Sequence, residues 1–201
     1  MDAKVIEELA QRENIDPRTL AERLTSGEVV VVKNRKRNIA PMAVGKGTGV
    51  KVNANLGAST ESADLEAELD KLRAAEDAGA DTVMDLSDGG DLTTIRKAII
   101  ENSRLPVGTV PIYEAVVESA RKYHDYLKMT ASDIMDVLRR QAEQGVDFFT
   151  IHSGITRALV NHRHPNSRLG GIVSRGGALL TRWILANDKE NPLYEHFDEI
   201  L

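Results

Sequence analysis

An order of strand and then helix returns at a fixed interval along the second part of this sequence. Beyond residue 50, short apolar runs end at or near Asn55, Met84 and Tyr113, each 29 positions after the one before. An interval of this length is typical of one β/α unit. The spacing therefore predicts parallel β-strands connected by helices.

Five segments have the composition of strands in such a sheet. In order they are VKVNANL, DTVMDL, VGTVPIY, FFTIH and GIVSRGG. Each is a compact apolar run without polar alternation, as a sheet covered on both faces requires. An additional helix is predicted from about Thr130, because Thr130 and Asp133 have the spacing of a capping box. A doubly wound sheet and a barrel both fit this order, but no G-x-G-x-x-G turn occurs. We therefore expect an α/β fold, an incomplete (β/α)8 TIM-type barrel with about five parallel strands.

The residues before the repeats form a different kind of segment. Asp2 and Asp16 are placed to cap two short amphipathic helices, which precede the apolar run EVVVVK. We predict an N-terminal helical and lead-in segment over residues 1–49 and a partial barrel domain over residues 50–201. The basic run KNRKR at 33–37 is interpreted as an exposed loop, because it lies between turn-like segments of an acidic protein.

Composition excludes several classes of function. The formal charge is −5 and only 4% of residues are aromatic, so a nucleic-acid partner is not expected. No apolar run approaches the length that spans a bilayer, which predicts a cytoplasmic location without a membrane partner. The 201 residues include no cysteine, so this chain holds no thiolate nucleophile and no ligand for a zinc–cysteine site or an iron–sulfur cluster.

Polar residues at the predicted strand ends are the candidates for a functional site, because the carboxyl ends of parallel strands line the site in such folds. His152 ends an apolar strand and should point to this rim. Arg175, beside paired glycines, could hold a phosphate with help from backbone N–H groups. The predicted ligand is a polar, phosphorylated small molecule. The full set is Asn53, Asn55, Met84, Asp85, Ser87, Thr109, Tyr113, His152, Ser153, Ser174, Arg175, Gly176 and Gly177.

Some of these candidates also have a purely structural interpretation. Met84, taken alone, is more readily interpreted as a core residue, and Asn53 could simply satisfy backbone groups. His162 and His164 are two positions apart in a loop without a third ligand, which indicates exposed residues and no metal site.

Several long motifs, taken in order, resemble the phosphomethylpyrimidine synthase family. They are KVNANLG, ADTVMDLSDGGD, VGTVPIYEA, EQGVDFFTIHSG and GIVSRGGALLTRW, followed by NDKENPLYEHFDEIL. The resemblance covers residues 28 to 201, approximately. It implies a radical SAM carbon–carbon lyase of thiamine biosynthesis, which converts aminoimidazole ribotide to hydroxymethylpyrimidine phosphate. The implied cofactors are S-adenosylmethionine, a [4Fe-4S] cluster and zinc.

The resemblance also implies which residues contact the ribotide. Asn55, Tyr113 and His152 would orient the imidazole and ribose, and the turn at Ser174 and Arg175 is our candidate for holding an anionic group. No catalytic residue is assigned and no metal ligand is expected in this chain. The implied substrate-binding residues are Asn55, Met84, Tyr113, His152, Ser174, Arg175 and Gly176.

The family pattern extends beyond what this sequence contains. Members continue with an Asp-Gly-Leu-Arg segment, a catalytic glutamate region, two zinc-binding histidines and a C-terminal Cys-x-x-Cys-x-x-x-x-Cys motif. Eight repeats would need roughly 230 positions, whereas 152 follow residue 49. The expectation is therefore the amino-terminal part of such an enzyme, inactive in isolation, in a homo-oligomer or with a complementing C-terminal polypeptide.

Two alternatives remain open from the sequence. A sister group uses the same ribotide to make 5-hydroxybenzimidazole for cobamide lower ligands, and the shared motifs do not separate the two products. The other alternative is a non-catalytic ribotide-binding protein, or a barrel fragment that a partner completes. An open sheet edge after the fifth predicted strand motivates it, because exposed strand edges tend to pair with other chains.

Overall fold

The computed structural model describes residues 2–161 and 169–201, and these form a mixed α/β fold with two compact units. The first unit comprises Met1–Thr109 and Gln144–Phe148, and the second comprises Val110–Glu143 and Phe149–Leu201. No helix within the described residues combines the length and apolar character needed to cross a membrane.

The first unit opens with two capped helices and a two-stranded antiparallel ribbon. Asp2 accepts from Lys4 N (3.1 Å) and Asp16 accepts from Thr19 N (2.9 Å), so both predicted caps are confirmed. The helices and the ribbon bury a small core that includes Leu9, Leu20, Val29 and Ala43. The elements are α1 (Ala3–Glu13), α2 (Pro17–Thr25), β1 (Val29–Val32) and β2 (Met42–Gly45).

The loop between β1 and β2 corrects one interpretation. Arg37, in the run KNRKR, is buried, and its guanidinium donates to the Asp147 carboxylate. It also donates to the carbonyl oxygens of Ile100 (2.9 Å) and Ser103 (2.6 Å). The exposed-loop interpretation is therefore wrong for Arg37, because a buried carboxylate supplies the opposite charge that a buried guanidinium requires.

The main sheet of the first unit has strand order β3-β4-β5-β6, with parallel ladders joining β3 to β4 and β4 to β5. Helix α3 starts after the cap Asp64 and α4 after the cap Asp91. Phe149, the second residue of β6, belongs to the second unit. The elements are β3 (Asn53–Leu56), α3 (Leu65–Asp77), β4 (Thr82–Asp85), α4 (Leu92–Asn102), β5 (Val107–Thr109) and β6 (Phe148–Phe149).

The register shows where the 29-residue interval holds and where it fails. Asn55 and Met84 are direct partners across β3 and β4, but the partner of Met84 on β5 is Gly108. The prediction that Tyr113 lies on a strand is wrong. Strand β5 ends at Thr109 and a helix begins at Pro111, because the fixed φ of proline suits the first turn of a helix.

The second unit is helical. Its capping box is confirmed: Asp133 accepts from Thr130 N (2.8 Å), and Thr130 Oγ1 accepts from Asp133 N (3.2 Å). Gln144, the last residue of α6, belongs to the first unit. The elements are α5 (Pro111–Tyr123), a 3-10 helix (Tyr126–Lys128), α6 (Ala131–Gln144), α7 (Arg157–Asn161), α8 (Arg175–Asn187), α9 (Pro192–Glu195) and α10 (Phe197–Ile200).

The predicted fifth strand, GIVSRGG, is a helix start instead. Residues 171–174 have no regular secondary structure, and α8 begins at Arg175. The Ser174 hydroxyl accepts from Gly177 N (3.2 Å), which satisfies one of the unpaired N–H groups of the first turn. This cap determines the local structure although Ile172 and Val173 favour a strand. The described part of the main sheet therefore has four strands and not about five.

Candidate functional site

In the first unit, two predicted ligand residues lie side by side on the main sheet. Asn55 of β3 and Met84 of β4 are register partners, so their side chains project from the same face. Asn55 is exposed and Met84 is half-buried. The sheet thus places an amide and a thioether next to each other, as the predicted site requires of these two residues.

The ring of Phe148 lies over the position next to Met84 on strand β5. Gly108 is the partner of Met84, and a Cβ atom built at Gly108 would lie 2.3 Å from the ring of Phe148. The ring therefore occupies the space that a side chain at position 108 would need. Phe148 was not among the predicted site residues, although a glycine inside a buried strand is a known signal of close approach.

Asn53 fixes the orientation of the Asn55 amide. The Thr82 hydroxyl donates to Asn53 Oδ1 (2.9 Å), and Asn53 Nδ2 donates to Asn55 Oδ1 (3.0 Å). The Asn55 oxygen is therefore engaged by its neighbour, and its NH2 group is the part left to act as a donor to a ligand. The interpretation of Asn53 as a residue that satisfies backbone groups is replaced by this side-chain role.

Asp85 lies on the other face of the sheet from Met84, because successive residues of a strand alternate. The Asp85 side chain therefore does not project beside those of Asn55 and Met84, and its place at the rim stays a prediction. The side chain is buried, and this burial raises the pKa of the carboxyl group above its usual value although hydrogen bonds from Ser87 and the charge of Arg96 act in the opposite direction. Thr109, its neighbour in the register, is also buried.

The polar residues at the end of β4 make contacts between two loops of the sheet. Ser87 N donates to Asp85 Oδ1 (2.9 Å), and Ser87 Oγ accepts from Ala58 N (3.0 Å). Gly89 approaches the backbone of Ser59 so closely that a Cβ atom there would lie 2.2 Å from the Ser59 carbonyl carbon. The loop after β3 and the loop after β4 are therefore joined by the residues that make this strand end polar.

In the second unit, His152 packs against the start of α8. A hydrogen bond of 3.0 Å joins His152 Nε2 and Ser174 Oγ. A Cβ atom at Gly176 would lie 2.5 Å from His152 Cε1, so only glycine allows the imidazole to approach this closely. Burial lowers the pKa of His152, and its Nδ1 is buried without a hydrogen-bond partner among the described residues. The ring is therefore held in its neutral form at neutral pH.

Arg175, which lies between Ser174 and Gly176 in the chain, contacts Tyr113. The Arg175 guanidinium lies 5.0 Å from the centroid of the Tyr113 ring, within the range of a cation–π interaction. Arg175 is the first residue of α8, and Tyr113 lies in the first turn of α5. Because N–H groups of a helix start attract negative charge, this position combines a guanidinium with a favourable helix dipole.

The structure thus links five of the seven predicted ligand residues by direct contacts within the second unit and the other two within the first. The first group consists of Tyr113, His152, Ser174, Arg175 and Gly176. The second consists of Asn55 and Met84. That all seven contact one ligand stays a prediction.

The part of the chain that the structure describes offers no ligand set for a metal centre. The 201-residue sequence has no cysteine, and residues 2–161 and 169–201 bring together no group of three or more histidine, aspartate or glutamate side chains suited to a metal ion. His162 and His164 lie outside the described residues.

Comparison with known proteins shows the family of this chain. Residues 2–201 match the model of the Radical SAM ThiC family, so the chain belongs to that family. Several similar curated proteins are named phosphomethylpyrimidine synthase. The protein of Thermodesulfovibrio yellowstonii is 46% identical over 196 residues, and that of Moorella thermoacetica is 47% identical over 199 residues. The protein of Methanococcus maripaludis is 47% identical over 193 residues.

The coverage of these alignments is unequal. They include 96–98% of this chain but only 45–46% of each relative. The chain therefore spans about half the length of the curated relatives it matches, and corresponds to their N-terminal part.

Proposed function

We propose that this chain contributes the ribotide-binding part of phosphomethylpyrimidine synthase and so takes part in thiamine biosynthesis. The family membership and the shared name of the relatives support the assignment. The ligand would be aminoimidazole ribotide, which offers an imidazole, a ribose and a phosphate. The observation that carries the proposal is the contact group of His152, Ser174 and Arg175 at the start of α8.

Each part of the ribotide has a partner of suitable chemistry. Arg175 and the first N–H groups of α8 suit the phosphate, because a guanidinium forms charge-assisted hydrogen bonds with phosphate oxygens. Asn55, Tyr113 and His152 suit the imidazole and the ribose, since neutral polar groups orient a ligand without adding charge. Met84 supplies a polarizable surface against which a flat ring can pack.

A calorimetric titration with aminoimidazole ribotide tests this proposal. We expect the wild-type chain to bind and Arg175→Ala to weaken binding by about 10- to 100-fold, the loss of one charge-assisted contact. Arg182→Ala is the matched control, because Arg182 also lies on α8 and stacks on a tyrosine, Tyr126, at 5.8 Å. Absence of binding by the wild type, or an equal loss in both variants, would contradict the proposal.

We also propose the finer family properties. The described sheet would form part of a (β/α)8 barrel, with residues 1–49 as a separate lead-in segment. The complete enzyme would be a carbon–carbon lyase in the cytoplasm, either a homo-oligomer or completed by a C-terminal polypeptide. S-adenosylmethionine and the iron–sulfur cluster that the family name implies would supply the radical chemistry, and zinc is a further proposed cofactor.

A second candidate function is ribotide binding without catalysis by these 201 residues. The absence of cysteine favours it, because an iron–sulfur cluster is held by thiolates. Anaerobic reconstitution with iron and sulfide is the test, followed by absorption and electron paramagnetic resonance spectroscopy. We expect no cluster at stoichiometric occupancy. A stoichiometric [4Fe-4S] signal from this chain would refute the candidate.

A further inference from the structure

The connection between α8 and α9 holds the loop that carries His152. We call residues 188–191 the clamp. Asn191 is completely buried, and its Nδ2 donates to the carbonyl oxygens of His152 (2.8 Å) and Ile155 (3.0 Å). One amide group thus satisfies two loop carbonyls.

Two other residues of the clamp contact the same loop. Glu190 Oε1 accepts from Arg157 N (2.7 Å) and from Asn191 N (2.8 Å). Asp188 Oδ1 accepts from the Arg157 guanidinium (2.5 Å). Three residues of the clamp, Asp188, Glu190 and Asn191, therefore hold the loop from His152 to Arg157 at both ends.

The oxygen of Asn191 has a separate task. Asn191 Oδ1 accepts from Leu193 N (3.0 Å) and caps α9. The Asn191 oxygen therefore caps α9, whereas the Asn191 NH2 group binds the loop. A side chain that keeps an acceptor but has no NH2 group would separate the two tasks.

The position of the His152 ring depends on its backbone. The ring has a hydrogen bond to Ser174 Oγ at 3.0 Å and occupies the space that a Cβ atom at position 176 would need. A backbone displacement of about 1 Å would break that bond, since hydrogen bonds weaken steeply beyond their normal length. The bond from Asn191 to the His152 carbonyl acts directly on this backbone.

We propose that Asn191 is a positioning residue for His152: its buried amide fixes the loop so that the imidazole stays between Ser174 and Gly176. The effect of Asn191 on ligand binding rests on the proposed function, whereas its effect on the ring does not. Asn191 has no assigned contact with a ligand.

The test is the titration of the histidine side chains by NMR in the 201-residue protein, with the His152 signal assigned by its loss in His152→Gln. Asn191→Ser keeps a capping oxygen for α9 and is too short to reach both carbonyls. We expect the pKa of His152 to rise toward 6.5, because a released ring loses the burial that lowers it. We also expect a loss of ribotide affinity of about tenfold, the order of one hydrogen bond.

Asn187→Ser is the matched control. Asn187 Nδ2 also bridges two carbonyl oxygens, those of Leu127 (2.9 Å) and Trp183 (3.0 Å), in the same unit. We expect it to leave the His152 titration unchanged. If Asn191→Ser does not fold, Arg157→Ala replaces it, because this side chain is partly exposed and its loss should move the His152 pKa in the same direction by less.

The outcomes separate the two proposals. An unchanged His152 pKa in the folded Asn191 variant, or in Arg157→Ala when that variant replaces it, overturns the positioning role, as does an equal shift in the Asn187 control. A raised His152 pKa in the Asn191 variant, when the wild-type protein binds no ribotide, upholds the positioning role and refutes the proposed function. A raised pKa together with weakened ribotide binding supports both.

Discussion

The two units hold their candidate ligand residues on different kinds of backbone. Asn55 and Met84 of the first unit project from neighbouring strands, where the ladder sets their spacing. His152 and Arg175 of the second unit lie on a loop and at a helix start, where side-chain contacts set it. Because of this difference, changes in the first unit should act mainly on folding stability, and changes near His152 mainly on the geometry of the site.

The largest expected effect on stability is in the first unit. The Asp147 side chain is fully buried and accepts from Arg37, Asn34 N and Val107 N. Asp147→Ala would leave the Arg37 guanidinium buried without its carboxylate, and should lower the free energy of unfolding by about 3–5 kcal/mol. Urea denaturation measures this.

The control for Asp147 is an exposed pair of the same unit, Arg18 and Glu22. Glu22→Ala should change stability by less than about 1 kcal/mol, because solvent screens exposed ion pairs. Equal losses in the two variants would mean that the buried network does not support the sheet as described.

A smaller loss is expected at Gly108, the neighbour of the Phe148 ring. Gly108→Ala places a methyl group 2.3 Å from the ring, which must move within a packed strand. We expect a loss of about 1–3 kcal/mol in thermal or urea unfolding, typical of overpacking. Combining it with Phe148→Leu should recover part of the loss. If that double variant is less stable than Gly108→Ala, the ring is not the obstacle.

The capping box of the second unit should have a moderate effect that depends on pH. Burial raises the pKa of Asp133, but hydrogen bonds from Thr130 and Lys122 outweigh it and lower the pKa to about 2. The ionised form is therefore favoured in the folded state, and its contribution is present above the usual pKa of 3.8 and lost as pH falls toward 2.

Asp133→Ala should consequently lower stability by about 1 kcal/mol at pH 7 and by less near pH 2, as measured by urea unfolding at both values. Asp136→Ala is the control, since Asp136 is exposed on the same helix. A loss that stays the same at both pH values would contradict the assigned charge state.

The smallest effect on stability, and a clear effect on the site, is expected for Gly176→Ala. Alanine favours a helix over glycine by about 1 kcal/mol, which offsets the displacement of a half-buried ring. The methyl group would exclude the imidazole from its place beside α8. The pKa of His152 should then rise while the unfolding midpoint changes little. A large destabilisation without a change in the His152 pKa would contradict the expectation that changes near His152 act mainly on the geometry of the site.

Much of the first unit could be predicted because strands and caps follow local rules. The 29-residue interval predicted a pair that the sheet confirms, Asn55 and Met84, and the capping residues Asp2 and Asp16 lie where the sequence indicated. Ribbon strand β2 was missed, since its four residues MAVG have no strong strand pattern of their own.

The second unit was predicted less well, for physical reasons. The apolar residues Ile172 and Val173 favour a strand, but the Ser174 cap starts a helix there, and Pro111 does the same before Tyr113. The contacts of His152 with Ser174 and Gly176 join residues more than 20 positions apart, which no local pattern reveals. Nothing in the sequence indicates that Asn191 contacts the His152 loop, because an asparagine before a proline is common at helix starts and indicates only a cap.

The bond from Ala58 N to Ser87 Oγ has a consequence for how this fold can vary. This bond and the contact of Gly89 with the Ser59 backbone join the loop after β3 to the loop after β4. A displacement of either loop should therefore displace the other. In mutant libraries that diversify residues 57–60 alone, most variants should lose the packing of this loop against the loop after β4. Productive variation in this region requires both loops to be exchanged together, as a single cassette.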